Sequence, residues 1–396
     1  MRYISLFSGI GGLESSKVHP ALCCEADKFC RFVLARRFKN TEIADDVTTL
    51  SAPAADVVVG GWPCQDISVA GLQLGLEGSR SGLFYQMLRI AREAKAHTIV
   101  AENVPNLLRM RGGELFAEVL KALDESGFPH VAWRTINARE FGLPHERRRV
   151  FLIASRDGHA ARALHRDFPP IQSGSAAGPE TPSFCNGFYW TAGLQSICYS
   201  EGYVPTLKVG SSLSIPSPPA LYFDDCVRKA TAHECLKLQG FDPAEFAGLA
   251  DKELYRMAGN AVASPVGRFV IDSLFVRESV SVVRTAYSQI GESGLYESGA
   301  VWEVGLNQGP LATNLRSVID AANKAPMSSR AAAGLVTRLR RSGKPCPDAL
   351  LQILEAIACM GIGSEEEEVG QPEVGAANLM DEEIVSDVGS KQLCFF

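Results

Sequence analysis

Arg2-Tyr3-Ile4-Ser5-Leu6-Phe7-Ser8-Gly9-Ile10-Gly11-Gly12 reads as a short strand running into a glycine turn. The segments that follow repeat the unit. Residues 13–18 are a helix-like run, 21–24 a second strand, and 28–38 an amphipathic helix. Residues 56–59, 98–101, 130–136 and 150–154 read as further buried strands. Helices are expected over 82–95 and 114–126, with Gly127 placed to stop the second. Strands alternating with helices predict an α/β fold, a doubly wound and mainly parallel sheet. In such a sheet the ligand crevice opens at the carboxyl ends of the strands.

From about residue 157 to 225 the rhythm is lost. That stretch is rich in Pro, Gly, Ser and aromatic residues, among them Phe184, Phe188, Tyr189, Trp190, Tyr199 and Tyr203, and reads as an irregular module of strands and loops. Regular helices return over 231–239 and 261–275. Residues 277–310 resemble a linker with some strand content. Helices are expected over 311–325, 329–341 and 347–359, with Ser328 or Ser329 capping the second, and Pro345 and Pro347 separating it from the third. The division that follows is a first domain over 1–156, an irregular region over 157–254, and a return segment over 255–276 completing the first domain. A linker (277–310), a helical extension (311–361) and an acidic tail of disordered composition (362–396) come after it.

The chain has 396 residues, 46% of them apolar, enough for two or three domains with a substantial core. Its net charge of −6 is misleading as an average, because nine acidic residues and one basic residue fall between Ser364 and the C-terminus. The remainder carries +2 and holds basic clusters at Arg147-Arg148-Arg149, Arg156, Arg162 and Arg166, and again from Arg338 to Lys344. Such a balance leaves nucleic-acid binding open. The 11 cysteines lack paired C-x-x-C spacing, and Cys23 and Cys24 are adjacent, so neither a zinc site nor a disulfide framework is expected. No apolar stretch reaches membrane-spanning length and the N-terminus enters a strand directly, so a soluble, cytoplasmic protein is expected.

Glycines in the first turn let backbone approach a nucleotide-like ligand closely. Glu25 ends the second strand, where a carboxylate can take a ribose diol, and Asp46 is placed to meet an adenine amino group. The turn lacks the Lys-Ser/Thr ending of a P-loop, which disfavours ATP hydrolysis. A nicotinamide cofactor stays open on this evidence. The loop Gly60-Gly61-Trp62-Pro63-Cys64-Gln65 narrows the choice, because it sets a thiol at the carboxyl end of the sheet beside polar Gln65 and Asp66.

Taken in order, these segments resemble the DNA cytosine-5 methyltransferase family. Phe7 to Glu14 is similar to its cofactor motif, Glu25 with Asp27 to its ribose motif, and Asp46-Val47 to its adenine-contacting pair. Gly61 to Ser68 resembles the Pro-Cys-Gln loop, Arg80 to Phe84 the segment after it, and Glu102-Asn103-Val104 the Glu-Asn-Val motif. Pro144 to Arg149 resembles the Gln-x-Arg-x-Arg motif, Thr231 to Phe241 the Leu-Gln-Gly-Phe motif, and Gly259-Asn260-Ala261-Val262 the late Gly-Asn motif. Nine motifs in order cover about residues 3 to 275.

The resemblance implies a Rossmann-like methyltransferase sheet with a small irregular target-recognition domain and a C-terminal helical extension. It implies S-adenosylmethionine as cofactor, no metal, and double-stranded DNA as partner. It makes Cys64 the nucleophile toward cytosine C6, Glu102 the group that protonates N3, and Arg149 with Arg147 the holders of the base O2. It assigns cofactor contacts to Phe7, Gly9, Ile10, Gly11, Gly12, Glu25, Asp46, Val47, Pro63, Asn260 and Val262. The target base must leave the stack for its two ring faces to be reached.

Two positions depart from the family pattern. His145 stands where Gln is usual, so its contact must be remade or is dispensable, and Ser8 replaces the commoner Ala. The rival readings are a transfer-RNA methyltransferase, an inactive DNA-binding homologue and a nicotinamide enzyme. The first lacks its Cys-Phe-Thr segment here, the second conflicts with the presence of Cys64 and Glu102, and the third leaves Pro-Cys-Gln unexplained. Base-reading residues are expected within 160–225, and a monomer without an obligate protein partner is expected.

Overall fold

The computed structural model describes residues 1–62, 82–168, 184–189, 197–208, 218–224, 226–275, 282–285, 290–297, 299–305, 314–343 and 346–360. Its first part runs β1 (Tyr3–Leu6), β2 (Leu22–Cys24), α1 (Lys28–Arg37), β3 (Glu42–Ala44), β4 (Val57–Gly61), α2 (Leu83–Glu93), β5 (Thr98–Asn103), α3 (Glu114–Glu125), β6 (His130–Asn137) and β7 (Arg148–Ser155). It continues with β8 (Cys185–Phe188), β9 (Ser200–Glu201), β10 (Ala220–Phe223), β11 (Cys226–Lys229), α4 (Ala232–Leu238), α5 (Asp251–Asn260) and α6 (Ser264–Ser273). The last elements are β12 (Val282–Thr285), β13 (Ser293–Glu297), β14 (Ala300–Val304), α7 (Ser329–Ser342) and α8 (Asp348–Cys359).

The main sheet has the order β12-β14-β13-β6-β7-β5-β4-β1-β2-β3. Strands β3, β2, β1, β4 and β5 are parallel, while β7 runs antiparallel to both β5 and β6. The order reverses between β1 and β4, which makes that point the switch where a crevice opens. Period-two alternation explains the two covered faces. Ile4, Leu6, Val58, Ile99 and Ala101 pack with Phe84, Met87 and Ile90 of α2 and Leu115, Phe116 and Val119 of α3. Tyr3, Val57, Val59 and Val100 pack on the other face with Val266, Phe269 and Val270 of α6. A strand with apolar residues on both faces must be covered on both, and this one is.

The expected helix over 13–18 does not form. Ser15 Oγ accepts the N–H groups of Lys17 (3.0 Å) and Val18 (3.3 Å), and donates to Asp272 of α6 at 2.8 Å. These local side-chain bonds take the place of a helical ladder. The layer is filled instead by α6, which crosses the glycine turn so closely that a Cβ on Gly267 would lie 2.0 Å from the Gly12 carbonyl oxygen.

The strand content expected within the linker over 277–310 is present, and it belongs to the main sheet. The described residues of that segment include β12, β13 and β14, three antiparallel strands with β14 in the middle, which join the sheet through β13 pairing with His130–Arg134 of β6. Of the helix expected over 311–325, the described part holds one 3-10 turn, Leu315–Ser317. Beyond it the backbone serves a buried ion pair. Arg228 donates to Asp320 O (2.9 Å) and Asn323 O (2.7 Å), and Glu234 accepts Asp320 N–H at 2.6 Å.

The second sheet, β11-β10-β8-β9, is antiparallel. Leu221, Phe223 and Cys226 pack with Leu236 of α4 and Leu254 and Met257 of α5. Phe188, Ala220, Tyr222 and Val227 pack with Leu335, Val336 and Leu339 of α7 and Leu350 and Leu354 of α8. The C-terminal helices therefore cover the outer face of this sheet. Cys23, Cys24, Cys30, Cys185, Cys226 and Cys235 are buried with free thiols. The acidic tail lies outside the described residues, and no helix among them is long and apolar enough to cross a membrane.

Candidate active site

The parallel strands deliver their following residues to one edge of the sheet in spatial order. Asp46 follows β3, Glu25 follows β2, Phe7 to Gly12 follow β1, Trp62 follows β4, and Glu102 is the penultimate residue of β5. The glycine turn uses left-handed backbone at Phe7 (φ 53°), Gly9 (φ 54°) and Gly11 (φ 80°). A Cβ on Gly9 would meet nothing within 4 Å, so the turn faces open space there, whereas one on Gly12 would lie 2.2 Å from Val262 O. Gly9 thus offers a cradle, and Gly12 permits the approach of the late Gly-Asn segment.

Glu25 is fixed by accepting Gly9 N–H at 2.8 Å and Asp27 N–H at 2.9 Å. Asp27 caps α1 through the N–H groups of Phe29 and Cys30 and pairs with Arg256 of α5, so its pKa is lowered despite partial burial. Asp46 is exposed and accepts from the Thr48 N–H (2.8 Å) and hydroxyl (2.7 Å), which hold its carboxyl below the usual range. Val47 is buried, and its carbonyl accepts from Arg89 of α2 at 2.6 Å. Ile10 is buried; Asn260 is exposed at the end of α5.

Pro63 and Cys64 lie outside the described residues, so the site is built up to their threshold. Trp62 is buried and packs on Phe84 of α2 with ring centroids 5.1 Å apart. Asn103 donates to Trp62 O at 2.9 Å and accepts Val104 N–H at 2.8 Å, tying the end of β5 to the start of that loop. A Cβ on Gly61 would sit 2.8 Å from Glu102 Oε2, so the glycine gives the carboxylate its room.

Antiparallel pairing sets the start of β7 beside the end of β5, with Asn103 opposite Val150. Arg149 Nε therefore reaches Glu102 Oε1 at 3.1 Å, both side chains being largely buried. Burial pushes the Glu102 pKa up, while Arg149 and then Arg147 oppose that shift. Arg147 is 3% exposed and donates to Gly259 O at 3.2 Å, but its Nε and Nη1 have no hydrogen-bond partner among the described residues. Burial, and then the charge of Arg149, drive its pKa well below the usual arginine value. Arg148 turns away and pairs with Glu292.

His145 is fully buried and accepts Leu207 N–H through Nε2 at 2.9 Å, which requires a neutral ring. Burial drives its pKa well below 6.5, in agreement. Around it Glu146 N–H donates to Val204 O (2.8 Å), Val204 N–H to Pro144 O (2.9 Å), and the Thr206 hydroxyl to Glu146 O (2.6 Å). His145 thus serves as an anchor between the arginine motif and residues 204–207.

The family model for C-5 cytosine-specific DNA methylase matches residues 1–183. Type II methyltransferase M2.BsuMI of Bacillus subtilis (strain 168) is 35% identical over 296 residues, covering 69% of this chain and 75% of that protein. The chain belongs to the C-5 cytosine-specific DNA methylase family. Type II methyltransferase M.Bsp6I of Bacillus sp. (strain RFL6) is 28% identical and is covered over 98% of its length by 69% of this methylase. The solved S. pombe Dnmt2 methyltransferase shares the fold, with a TM-score of 0.52 at 15% identity, over 69% of this chain and 98% of that one.

Two contributors to the site escape sequence reasoning. Arg37, in the last turn of α1, donates to the carbonyls of Ile10 and Gly11 and pairs with Glu245. In sequence it reads only as a cation near a helix C-terminus. Gln239 is fully buried and donates to Ala258 O (2.6 Å) and Ala261 O (3.2 Å), clasping the Gly-Asn turn. Its motif gave its presence, without its partner.

Proposed function

We propose that this methylase takes a cytosine flipped from double-stranded DNA and methylates it at C5, with S-adenosylmethionine as donor. The observation that carries the reading is the Glu102–Arg149 pair. A buried carboxyl with raised pKa stands beside the strand that leads into Pro63-Cys64.

The donor supplies an electrophilic methyl group. Gly9, Gly11 and Gly12 allow backbone to close on it, Glu25 and Asp46 would take its ribose and adenine amino group, and Phe7, Ile10, Val47, Pro63, Asn260 and Val262 would complete the contacts. The open front of Gly9 and the carboxylate fixed against it fit such a group.

The Cys64 thiolate adds to C6, forming an S–C6 bond and shifting an electron pair toward C5 while N3 takes a proton from Glu102. Arg149 orients Glu102, and the unpartnered nitrogens of Arg147 are available to the base O2 and the developing charge. After C5 is methylated it loses its proton to a base, the ring double bond re-forms, the S–C6 bond breaks to release the Cys64 thiolate, and N3 returns its proton to Glu102. Extrusion of the base costs a few kcal/mol, on the order of one stacking and pairing loss.

Residues 157–254 are read as the target-recognition region, on the support of their separate sheet. The domain is read as acting as a monomer in the cytoplasm, in the same class as its Type II relatives.

The test is transfer of radiolabelled methyl to mixed-sequence duplex DNA by wild type and Cys64→Ser, followed by bisulfite sequencing. Label on cytosine that vanishes with Cys64→Ser supports the reading. Label on transfer RNA alone, or on neither, overturns it.

A further inference from the structure

Glycine turns at the end of a first strand usually lead into a helix, whose N–H groups take up the carbonyls of the turn. Here no helix follows. The Ser15 N–H, which would serve Gly11 in a helix, donates to the Tyr3 hydroxyl at 3.4 Å. The carbonyls of Ile10 and Gly11 are nonetheless satisfied, both by Arg37 Nη1, with the Gly11 bond at 2.9 Å.

Arg37 is itself held from three sides. Its Nε lies 3.0 Å from Glu245 Oε2, and its side chain is 9% exposed. The guanidinium stands 5.0 Å from the Phe241 ring centroid and 5.5 Å from that of Phe38. Gly11 is matched to it, since a Cβ there would meet Phe38 Cε2 at 2.7 Å and Arg37 Nη1 at 2.9 Å.

We propose that Arg37 is a positioning residue for the methyl donor, a guanidinium clamp that replaces the missing helix in fixing the Ile10–Gly11 carbonyls and so the shape of the turn. Arg37 acts through the turn and carries none of the chemistry. The inference rests on reading the turn as the donor site.

The test is isothermal titration of the full chain with S-adenosylhomocysteine, comparing wild type, Arg37→Met, Arg37→Lys and Arg36→Met. Arg36 is the control because it anchors the same neighbouring segment, donating to Ala247 O at 2.6 Å, without touching the turn. Loss of two charge-assisted bonds predicts roughly tenfold weaker binding for Arg37→Met, with Arg37→Lys between it and wild type and Arg36→Met unchanged. In steady-state assays the donor KM rises, while kcat at saturating donor and the Kd for DNA stay within about twofold, the mark of lost uniform binding.

Should Arg37→Met fail to fold, Glu245→Gln carries the test. It removes one anchor of the clamp and is expected to weaken binding by about two- to threefold. A folded Arg37→Met that binds as wild type does, or an Arg36→Met weakened equally, overturns the clamp alone. Wild type that binds no S-adenosylhomocysteine overturns the donor-site reading, and the clamp with it.

Discussion

Arg149 Nε lies 3.1 Å from Glu102 Oε1, and the contact joins the end of a parallel strand to the start of the antiparallel strand beside it. Burial outweighs the two arginines and raises the Glu102 pKa. A carboxyl with a raised pKa keeps its proton to higher pH, and a step that needs the proton slows as pH rises through that value. The kcat–pH profile should therefore have a falling limb above the ordinary carboxylate range. Glu102→Gln should lower kcat by roughly 10²–10⁴-fold, with unfolding stability equal to wild type or greater. A Gln variant of near wild-type kcat would remove Glu102 from the proton transfer.

Arg147, which the proposed mechanism assigns to the base O2, is buried at a cost in stability. Two of its guanidinium nitrogens are buried without a partner among the described residues, and such groups cost roughly 1–3 kcal/mol. Arg147→Met should therefore raise the urea midpoint while abolishing the trapped adduct with 5-fluorocytosine DNA. A destabilised variant would mean that the Gly259 contact outweighs the burial cost.

The strands were legible because Tyr3 to Leu6, Val57 to Val59 and Thr98 to Ala101 carry apolar residues on both faces, and only burial between two layers explains that. The motifs singled out Glu102, Arg147 and Arg149, but their meeting depends on β7 lying antiparallel to β5, a pairing no local pattern announces. Residues 277–310 read as a linker with some strand content because the partner of β13, in β6, is more than a hundred positions away. The run at 13–18 looked helical because the Ser15 hydroxyl, which takes the Lys17 and Val18 N–H groups, is itself anchored on a residue of α6 that sequence cannot place. Edge strand β3 escaped notice because its three residues are only half-buried or exposed.

Two glycines of the same turn should respond differently to alanine. At Gly12 a Cβ would lie 2.2 Å from the Val262 backbone oxygen, and backbone cannot swing aside as a side chain does. Gly12→Ala should lower stability by about 1–3 kcal/mol, as overpacking does, and weaken S-adenosylhomocysteine binding in whatever folds. Gly9 has free space but a φ of +54°, so Gly9→Ala should cost only about 1 kcal/mol of backbone strain. Equal melting points for the two variants would refute this account of the turn.

Leu335 is fully buried where α7 covers the outer face of the second sheet, beside Phe188, Tyr222 and Val227. The catalytic sheet makes no use of that contact. Leu335→Ala should cost about 2–5 kcal/mol locally, loosening the second sheet ahead of the first. DNA binding should weaken and S-adenosylhomocysteine binding persist. Hydrogen exchange distinguishes the sheets, and uniform loss of protection in both would show that they unfold as one unit.

Glu14 gives the clearest dependence of stability on pH. It is 4% exposed, accepts the Ser5 hydroxyl at 2.8 Å through Oε1, and has no partner at Oε2 among the described residues. Burial raises its pKa from 4.5 to about 7, opposed by Ser5 and by Arg37. The unfolded chain thus ionises this group first as pH rises. Below pH 4.5 it is neutral in both states and costs nothing; between 4.5 and 7 folding loses stability progressively; above 7 the loss is complete, at about 3 kcal/mol. Glu14→Gln should match wild type in urea unfolding near pH 4 and exceed it by about that amount at pH 8. The same advantage at both values would show that the carboxyl does not titrate between them, and no advantage at pH 8 would show that its ionised form is satisfied in the fold.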